Sequence, residues 1–204
     1  MNSAKTLIKI CGLSRLEDID IANELLPEYI GFVFFEKSKR NVSKETARLL
    51  KQRLDKRIKA VGVFVDSDED FICSLLDEGI IDIAQLHGSE DEDYIQRIKT
   101  RSGCKVIKAF VVNDLETFKT AENSGADYIL LDSGKGTGNT FDWSILEGVK
   151  RPYFLAGGLN CDNIERVMSD IRPYAVDVSS GVETDGIKDA EKIRRFVSAV
   201  RKAL

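Results

Sequence analysis

The sequence lacks the features that mark several large classes of protein. No apolar run approaches the roughly 20 residues that a helix needs to cross a bilayer. The first twelve residues, MNSAKTLIKICG, lack the long apolar core of a signal peptide. We therefore expect a cytoplasmic protein with no membrane partner.

Cysteine spacing and charge exclude further classes. The four cysteines are Cys11, Cys73, Cys104 and Cys161, and no pair has CxxC spacing, which argues against zinc and thioredoxin-like sites. We predict four free thiols. Lysine and arginine number 30 against 34 acidic residues, so no strong basic field is available for nucleic acid. A small anionic ligand would need a local site made of backbone amides or a few cations.

What the chain does have is a regular alternation of apolar runs and amphipathic stretches. Most of the runs are almost continuously apolar, which is typical of parallel strands covered on both faces. The eight predicted strands are 6–11, 29–34, 58–65, 81–87, 104–112, 127–132, 152–157 and 174–180.

The stretches between these runs predict helices with recognisable ends. Ser43 is a good N-cap for the helix after strand two. Asp66 or Ser67 is the predicted N-cap of the helix after strand three, and Gly79 is predicted to end that helix. Asn113 or Asp114 is the predicted N-cap of the helix after strand five. Asn160 or Asp162 is expected to open the helix after strand seven. A short helix is predicted around DWSILEG, and the last helix is predicted to carry Ile187 on its apolar face.

Eight βα units in 204 residues predict a closed (β/α)8 TIM barrel, an eight-stranded parallel barrel that forms a single domain over residues 1–204. A doubly wound open sheet is the competing fold. That fold would favour a GxGxxG fingerprint after strand one, and CGLSRLE does not match it.

Active sites of such barrels lie at the carboxyl ends of the strands, and their phosphate sites are commonly formed by the loops after strands seven and eight. Those loops contain Gly157 and Gly158 in AGGLN, and Ser180 and Gly181 in VSSGVE. Paired glycines allow backbone N–H groups to approach an anion closely. We therefore predict a phosphate site here, although each motif alone would also fit a tight turn.

Three other strand ends carry candidate residues. Asp132 opens the glycine-rich loop DSGKGTGNTFDW, where it is either catalytic or a turn residue, and the loop is a candidate for closing over substrate. Arg40 follows strand two in a basic segment that is either solvated or aimed at a ligand carboxylate. His87, the only histidine, is expected to line the substrate pocket.

These residues lie in motifs that together resemble phosphoribosylanthranilate isomerase of tryptophan biosynthesis. The motifs are KICGL, GFVFFEKSKRNVS, VGVFV, QLHG, LLDSGKGTGNTFDW, FLAGGLN and VDVSSGVET, and they span nearly the whole chain. The resemblance implies an Amadori rearrangement of N-(5′-phosphoribosyl)anthranilate without metal or cofactor. For the oligomeric state we expect either a monomer or a homodimer. It further implies that Cys11 is the general base, Asp132 the general acid, and Arg40 the residue that holds the anthranilate carboxylate.

The chemistry is consistent with these roles. Ring opening needs a proton on the ring oxygen, so Asp132 must be protonated when substrate is bound. A thiol with an ordinary pKa of about 8.5 is close enough to neutrality for Cys11 to act as a base. Lys9 lies two residues before Cys11 and should face the same side of the strand. Two alternatives are a histidine-pathway isomerase, which would have aspartate in place of Cys11, and a non-catalytic barrel that binds a phosphorylated metabolite.

Overall fold

The computed structural model describes residues 5–112, 114–132 and 148–203 and shows a closed barrel of eight parallel strands in the order β1 to β8. The barrel strands are β1 (Leu7–Cys11), β2 (Tyr29–Phe34), β3 (Lys59–Phe64), β4 (Ile83–Leu86), β5 (Lys105–Val111), β6 (Tyr128–Asp132), β7 (Tyr153–Ala156) and β8 (Ala175–Val178). The α-helices of the described residues are α1 (Leu16–Leu25), α2 (Lys44–Arg53), α3 (Glu69–Asp77), α4 (Glu92–Ser102), α5 (Leu115–Asn123), α6 (Ile164–Asp170) and α7 (Ala190–Lys202).

The predicted (β/α)8 barrel is confirmed, and every strand lies within two residues of its predicted limits. Each strand pairs in parallel with its neighbours, and β1 closes the barrel against β8 through the register Leu7↔Ala175 to Ile10↔Val178. The predicted helix around DWSILEG lies outside the described residues except for Gly148, and the whole of the glycine-rich loop after Asp132 lies outside them.

Two predicted N-caps are wrong because the side chains predicted to cap the helices accept hydrogen bonds from other groups. Asp68 caps α3 by accepting from the amides of Asp70 and Phe71, whereas Asp66 accepts from Ser89 in the next βα loop. Before α6, the N-cap position is Asn163, and the side chain of Asn160 accepts from two amides of the preceding turn instead. The predictions for Ser43 and Asp114 are confirmed, and Gly79 directly follows the C-cap of α3 with a positive φ of 66°.

Ile187 does not lie on the last helix. It belongs to a two-stranded antiparallel hairpin of β9 (Glu183–Thr184) and β10 (Ile187–Lys188), and it is 52% exposed. Asp185 and Gly186 turn the hairpin with positive φ values of 52° and 80°. Asp189 then caps α7, so the helix begins beyond Ile187.

The amino end of the barrel interior is filled by aromatic rings. Tyr29 packs edge-to-face on Phe154 with ring centroids 5.3 Å apart, and Tyr128 stacks on Tyr174 at 5.3 Å. Small and branched side chains, such as Val61 and Leu130, pack in the same interior cluster. This packing closes the amino end of the barrel interior, and the inward polar side chains lie toward the carboxyl end.

The larger apolar cluster lies between the sheet and the helices. It contains fully buried side chains from both layers, such as Phe32, Phe64 and Phe196. The four cysteines are free thiols, as predicted. No helix among residues 5–112, 114–132 and 148–203 is long and apolar enough to cross a membrane.

Candidate active site

Cys11 lies at the carboxyl end of β1, on the face of the strand that points into the barrel. Lys9, two residues earlier, shares that face and is completely buried. Its Nζ donates to Oδ2 of Asp177 over 2.7 Å, and Lys9 and Asp177 are direct neighbours in the β1–β8 register. A buried lysine requires such a partner, because an isolated ammonium is costly to take out of water.

The three groups influence one another's protonation. Burial favours the neutral form of Lys9, but the Asp177 carboxylate and the Cys11 sulfur outweigh burial and raise the pKa of the ammonium. Burial raises the pKa of the Cys11 thiol, and the Lys9 ammonium opposes that rise. The site therefore favours a neutral thiol next to a charged lysine.

The space around Cys11 is made by a glycine on the neighbouring strand. Gly31 is the register partner of Cys11 on β2, and a Cβ atom built on Gly31 would lie only 2.8 Å from the sulfur. Any larger residue at position 31 would therefore displace the thiol. This glycine lies within the GFVFF segment, and no sequence feature distinguished it from an ordinary strand glycine.

Asp132 and His87 meet at the opposite side of the barrel opening. Asp132 ends β6 on an inward position, and His87 directly follows β4. Oδ2 of Asp132 lies 3.9 Å from Nε2 of His87. Burial lowers the pKa of His87, and the Asp132 carboxylate only partly offsets this effect. His87 is therefore neutral near pH 7, with Nδ1 in hydrogen-bond contact with the Gln85 amide at 3.2 Å.

The loops after β7 and β8 touch each other at the predicted phosphate site. Gly157 and Gly158 both have positive φ values, 94° and 64°, which a residue with a side chain adopts at a cost. A Cβ atom on Gly181 would lie 1.9 Å from the carbonyl oxygen of Leu159, so only glycine fits between the loops. Ser180 begins the short 3₁₀ turn that contains Gly181. The structure thus brings the four predicted residues together.

Arg40 has a partner that the sequence did not suggest. Its Nε and Nη2 donate to the two carboxylate oxygens of Glu183, each over 2.6 Å. Glu183 also accepts from Lys188, which donates in addition to the backbone carbonyl of Ser179. The Ser179 hydroxyl in turn donates to the carbonyl of Cys11 over 3.0 Å. Arg40 is therefore connected to the residue at the end of β1 through a chain of polar contacts.

Sequence reasoning missed Asp177, Glu183 and Lys188. Asp177 interrupts an otherwise apolar strand, and a charged residue at a buried strand position was a usable signal. Glu183 and Lys188 are cross-strand partners in a hairpin that was not predicted. For these two residues the sequence carried no comparable signal.

The chain also matches known proteins over most of its length. The family model of N-(5′-phosphoribosyl)anthranilate (PRA) isomerase matches residues 8–199. The chain belongs to this family. It is 44% identical to N-(5′-phosphoribosyl)anthranilate isomerase of Clostridium acetobutylicum over 204 aligned residues, which cover 96% of this chain and 98% of the relative.

Solved structures of the PRA isomerase family have the same fold. The chain is 36% identical to the enzyme of Thermotoga maritima, with a TM-score of 0.87 over 98% of this chain and all of the other. A further family structure, at 36% identity and a TM-score of 0.85, also covers 98% of this chain and all of the other. It is a complex with reduced 1-(o-carboxyphenylamino)-1-deoxyribulose 5-phosphate.

Proposed function

We propose that this chain catalyses the Amadori rearrangement of N-(5′-phosphoribosyl)anthranilate to 1-(2-carboxyphenylamino)-1-deoxyribulose 5-phosphate in tryptophan biosynthesis. The observation that carries the proposal is family membership over residues 8–199 together with Cys11 and Asp132 on inward positions at strand ends. The reaction moves hydrogen between two carbons of one molecule with no net oxidation, so its chemistry requires no redox cofactor.

Asp132 acts first in the proposed mechanism. It donates a proton to the ring oxygen, the C1′–O bond breaks, and the nitrogen lone pair forms a cationic imine at C1′. His87 is neutral and lies beside Asp132, so it adds no positive charge that would favour loss of this proton. We propose that His87 lines the pocket and is not the proton donor.

Cys11 acts second. The cationic imine makes the proton on C2′ acidic, and the thiolate of Cys11 removes it to give an enolamine. The enolamine takes up a proton at C1′ and loses the proton of its 2′-hydroxyl group to become the ketone. Burial disfavours the thiolate before substrate binds. The imine cation and the Lys9 ammonium both favour the thiolate, so the base is formed when it is needed.

The remaining candidate residues hold the two ends of the substrate. We assign the phosphate to Gly157, Gly158, Ser180 and Gly181, because their loops meet at the carboxyl end of the barrel, where this fold commonly binds phosphate. We assign the anthranilate carboxylate to Arg40, whose guanidinium is planar and can form a charged fork.

The test is turnover followed by anthranilate fluorescence. The wild type should convert phosphoribosylanthranilate, whereas Cys11→Ser and Asp132→Asn should each lower kcat by about 10²–10⁴-fold, the usual effect of a positioned acid or base. Cys73→Ser, which changes a thiol outside the barrel mouth, is the matched control. A wild type that binds the substrate without turning it over would point to the non-catalytic barrel instead.

We also propose that the enzyme is a single domain that works in the cytoplasm as a monomer or homodimer. One closed sheet formed by strands between residues 7 and 178 supports the single domain. Light scattering of the purified chain distinguishes the monomer from the dimer.

A further inference from the structure

Arg40 is held on several sides before any ligand binds. A Cβ atom on Gly12 would lie 2.4 Å from Cδ of Arg40, so the aliphatic part of the arginine lies directly on the Gly12 backbone. Its own amide donates to the hydroxyl of Ser38 over 3.1 Å. Its guanidinium is fixed through the edge formed by Nε and Nη2, which pairs with Glu183.

Glu183 is itself rigidly held. Its side chain is 6% exposed, and Lys188, whose side chain is 2% exposed, donates to the same carboxylate. Lys192 donates to the backbone carbonyl of Glu183 over 2.7 Å. Burial would raise the pKa of Glu183, but the hydrogen bonds from Arg40 and Lys188 outweigh burial and lower it, so the carboxylate is charged at neutral pH.

This arrangement leaves one edge of the guanidinium for a ligand. In the part of the chain that the structure describes, Nη1 of Arg40 has no hydrogen-bond acceptor. A guanidinium has five N–H donors, and the edge formed by Nη1 and Nη2 can bind a second carboxylate in parallel. The cluster of Arg40, Lys188 and Glu183 has two positive charges and one negative charge, so it still attracts an anion.

We propose that Glu183 is a positioning residue that fixes Arg40 so that its Nη1–Nη2 edge faces the aromatic carboxylate of the substrate. The inference rests on the proposed function and adds a residue to it. Glu183 touches no reacting atom, and it acts through the orientation of Arg40. The alternative, in which Glu183 occupies the place of the substrate carboxylate and must be displaced, conflicts with the burial of its side chain and with its contacts to Arg40 and Lys188.

The experiment compares Glu183→Gln with the wild type in two assays. In the first, KM for phosphoribosylanthranilate should rise by about 10- to 100-fold, the range expected when one charged hydrogen-bonded contact is lost, while kcat changes little. In the second, calorimetry should show the same rise in Kd for the reduced product analogue that bears the carboxyl group. A matched analogue without that carboxyl group should bind both proteins equally.

Two further variants keep the inference testable. Glu183→Asp keeps the charge but is too short for the same fork, and it should show a smaller change of the same kind if Glu183→Gln does not fold. In an Arg40→Ala background, Glu183→Gln should have no further effect on Kd, because its action passes through Arg40. Glu191→Gln, which changes a glutamate side chain that is 79% exposed, is the control.

The outcomes separate this inference from the proposed function. A wild type without turnover contradicts the proposed function, whereas the calorimetry of the two analogues tests Glu183 independently. A lower KM in Glu183→Gln would mean that Glu183 competes with the substrate carboxylate. An equal loss of affinity for both analogues, or no loss for either, would also overturn the positioning role.

Discussion

Nζ of Lys9 lies 2.7 Å from Oδ2 of Asp177, and this buried pair joins the first strand of the barrel to the last. The pair lies one inward position below Cys11, so the charge that stabilises the seam of the barrel also acts on the thiol. Structure and reactivity therefore depend on the same lysine.

Thiol reactivity provides a test of this dependence. In a variant that retains Cys11 but lacks Cys73, Cys104 and Cys161, the rate of alkylation by iodoacetamide should rise with pH around a midpoint above the ordinary thiol value of about 8.5. Lys9→Met in the same background should move the midpoint higher, because the charge that favours the thiolate is gone. Lys105→Met, at the amino end of the barrel, should leave it unchanged.

Circular dichroism must show that the Lys9→Met variant is folded, since it leaves Asp177 without its partner. Loss of one member of a buried ion pair commonly costs about 3–5 kcal/mol. An alkylation midpoint that falls or stays constant in the folded variant would contradict the assigned effect of Lys9 on Cys11.

The single histidine, His87, allows the interaction with Asp132 to be measured through the pKa of its imidazole. Proton NMR should show one imidazole titration, with a midpoint below 6.5 because burial penalises the charged ring. Asp132→Asn should lower the midpoint further, since the nearby carboxylate is the group that raises it. A midpoint that rises in Asp132→Asn would mean that the two side chains do not interact in this way.

The same shift predicts how stability depends on pH. Because folding lowers the pKa of His87, the folded state binds fewer protons than the unfolded state below pH 6.5. The contribution of His87 to the free energy of unfolding is complete above pH 6.5, and it is lost as the pH falls through the lower pKa of His87 in the folded state. The free energy of unfolding of the wild type, measured in urea relative to His87→Gln, should therefore fall in that window.

The phosphate assignment can be tested with two glycines of similar conformation. Gly158 and Gly103 have φ values of 64° and 66°, and no atom of the residues that the structure describes would lie within 4 Å of a Cβ at either position. Replacing either by leucine should cost about 1–2 kcal/mol of stability, the usual penalty of the left-handed conformation. Gly158→Leu alone should raise KM and weaken competition by inorganic phosphate. Equal kinetics in the two variants would contradict the assigned phosphate site.

The sequence was most informative where the signal is local. Each barrel strand is a short, nearly continuous apolar run, so its position followed from composition alone, and Cys11 and Asp132 could be placed at strand ends. The polar contacts are not local. Asp177 is 168 residues from Lys9, and Glu183 is 143 residues from Arg40. Nothing in the sequence specifies which charges meet when the ends of a barrel come together.

The N-cap errors have a similar origin. Asp66, Asp68, Asn160 and Asn163 all have side chains that can accept from backbone amides, so several residues competed for each helix start. The tertiary contact decided the outcome at Asp66, which binds Ser89 from another loop. Local sequence propensity predicts that a helix has an N-cap, and contacts with the surrounding loops determine which residue is the N-cap.

The aromatic rings at the amino end of the barrel affect the order of events in turnover. In the described part of the chain, four aromatic rings pack across that end, those of Tyr29, Tyr128, Phe154 and Tyr174. The barrel interior is therefore closed at the amino end and open only at the carboxyl end. Substrate must then enter and product must leave through the same opening, and a product molecule that stays bound blocks the next substrate. Product should consequently be a competitive inhibitor, and its departure can set the pace of the whole cycle.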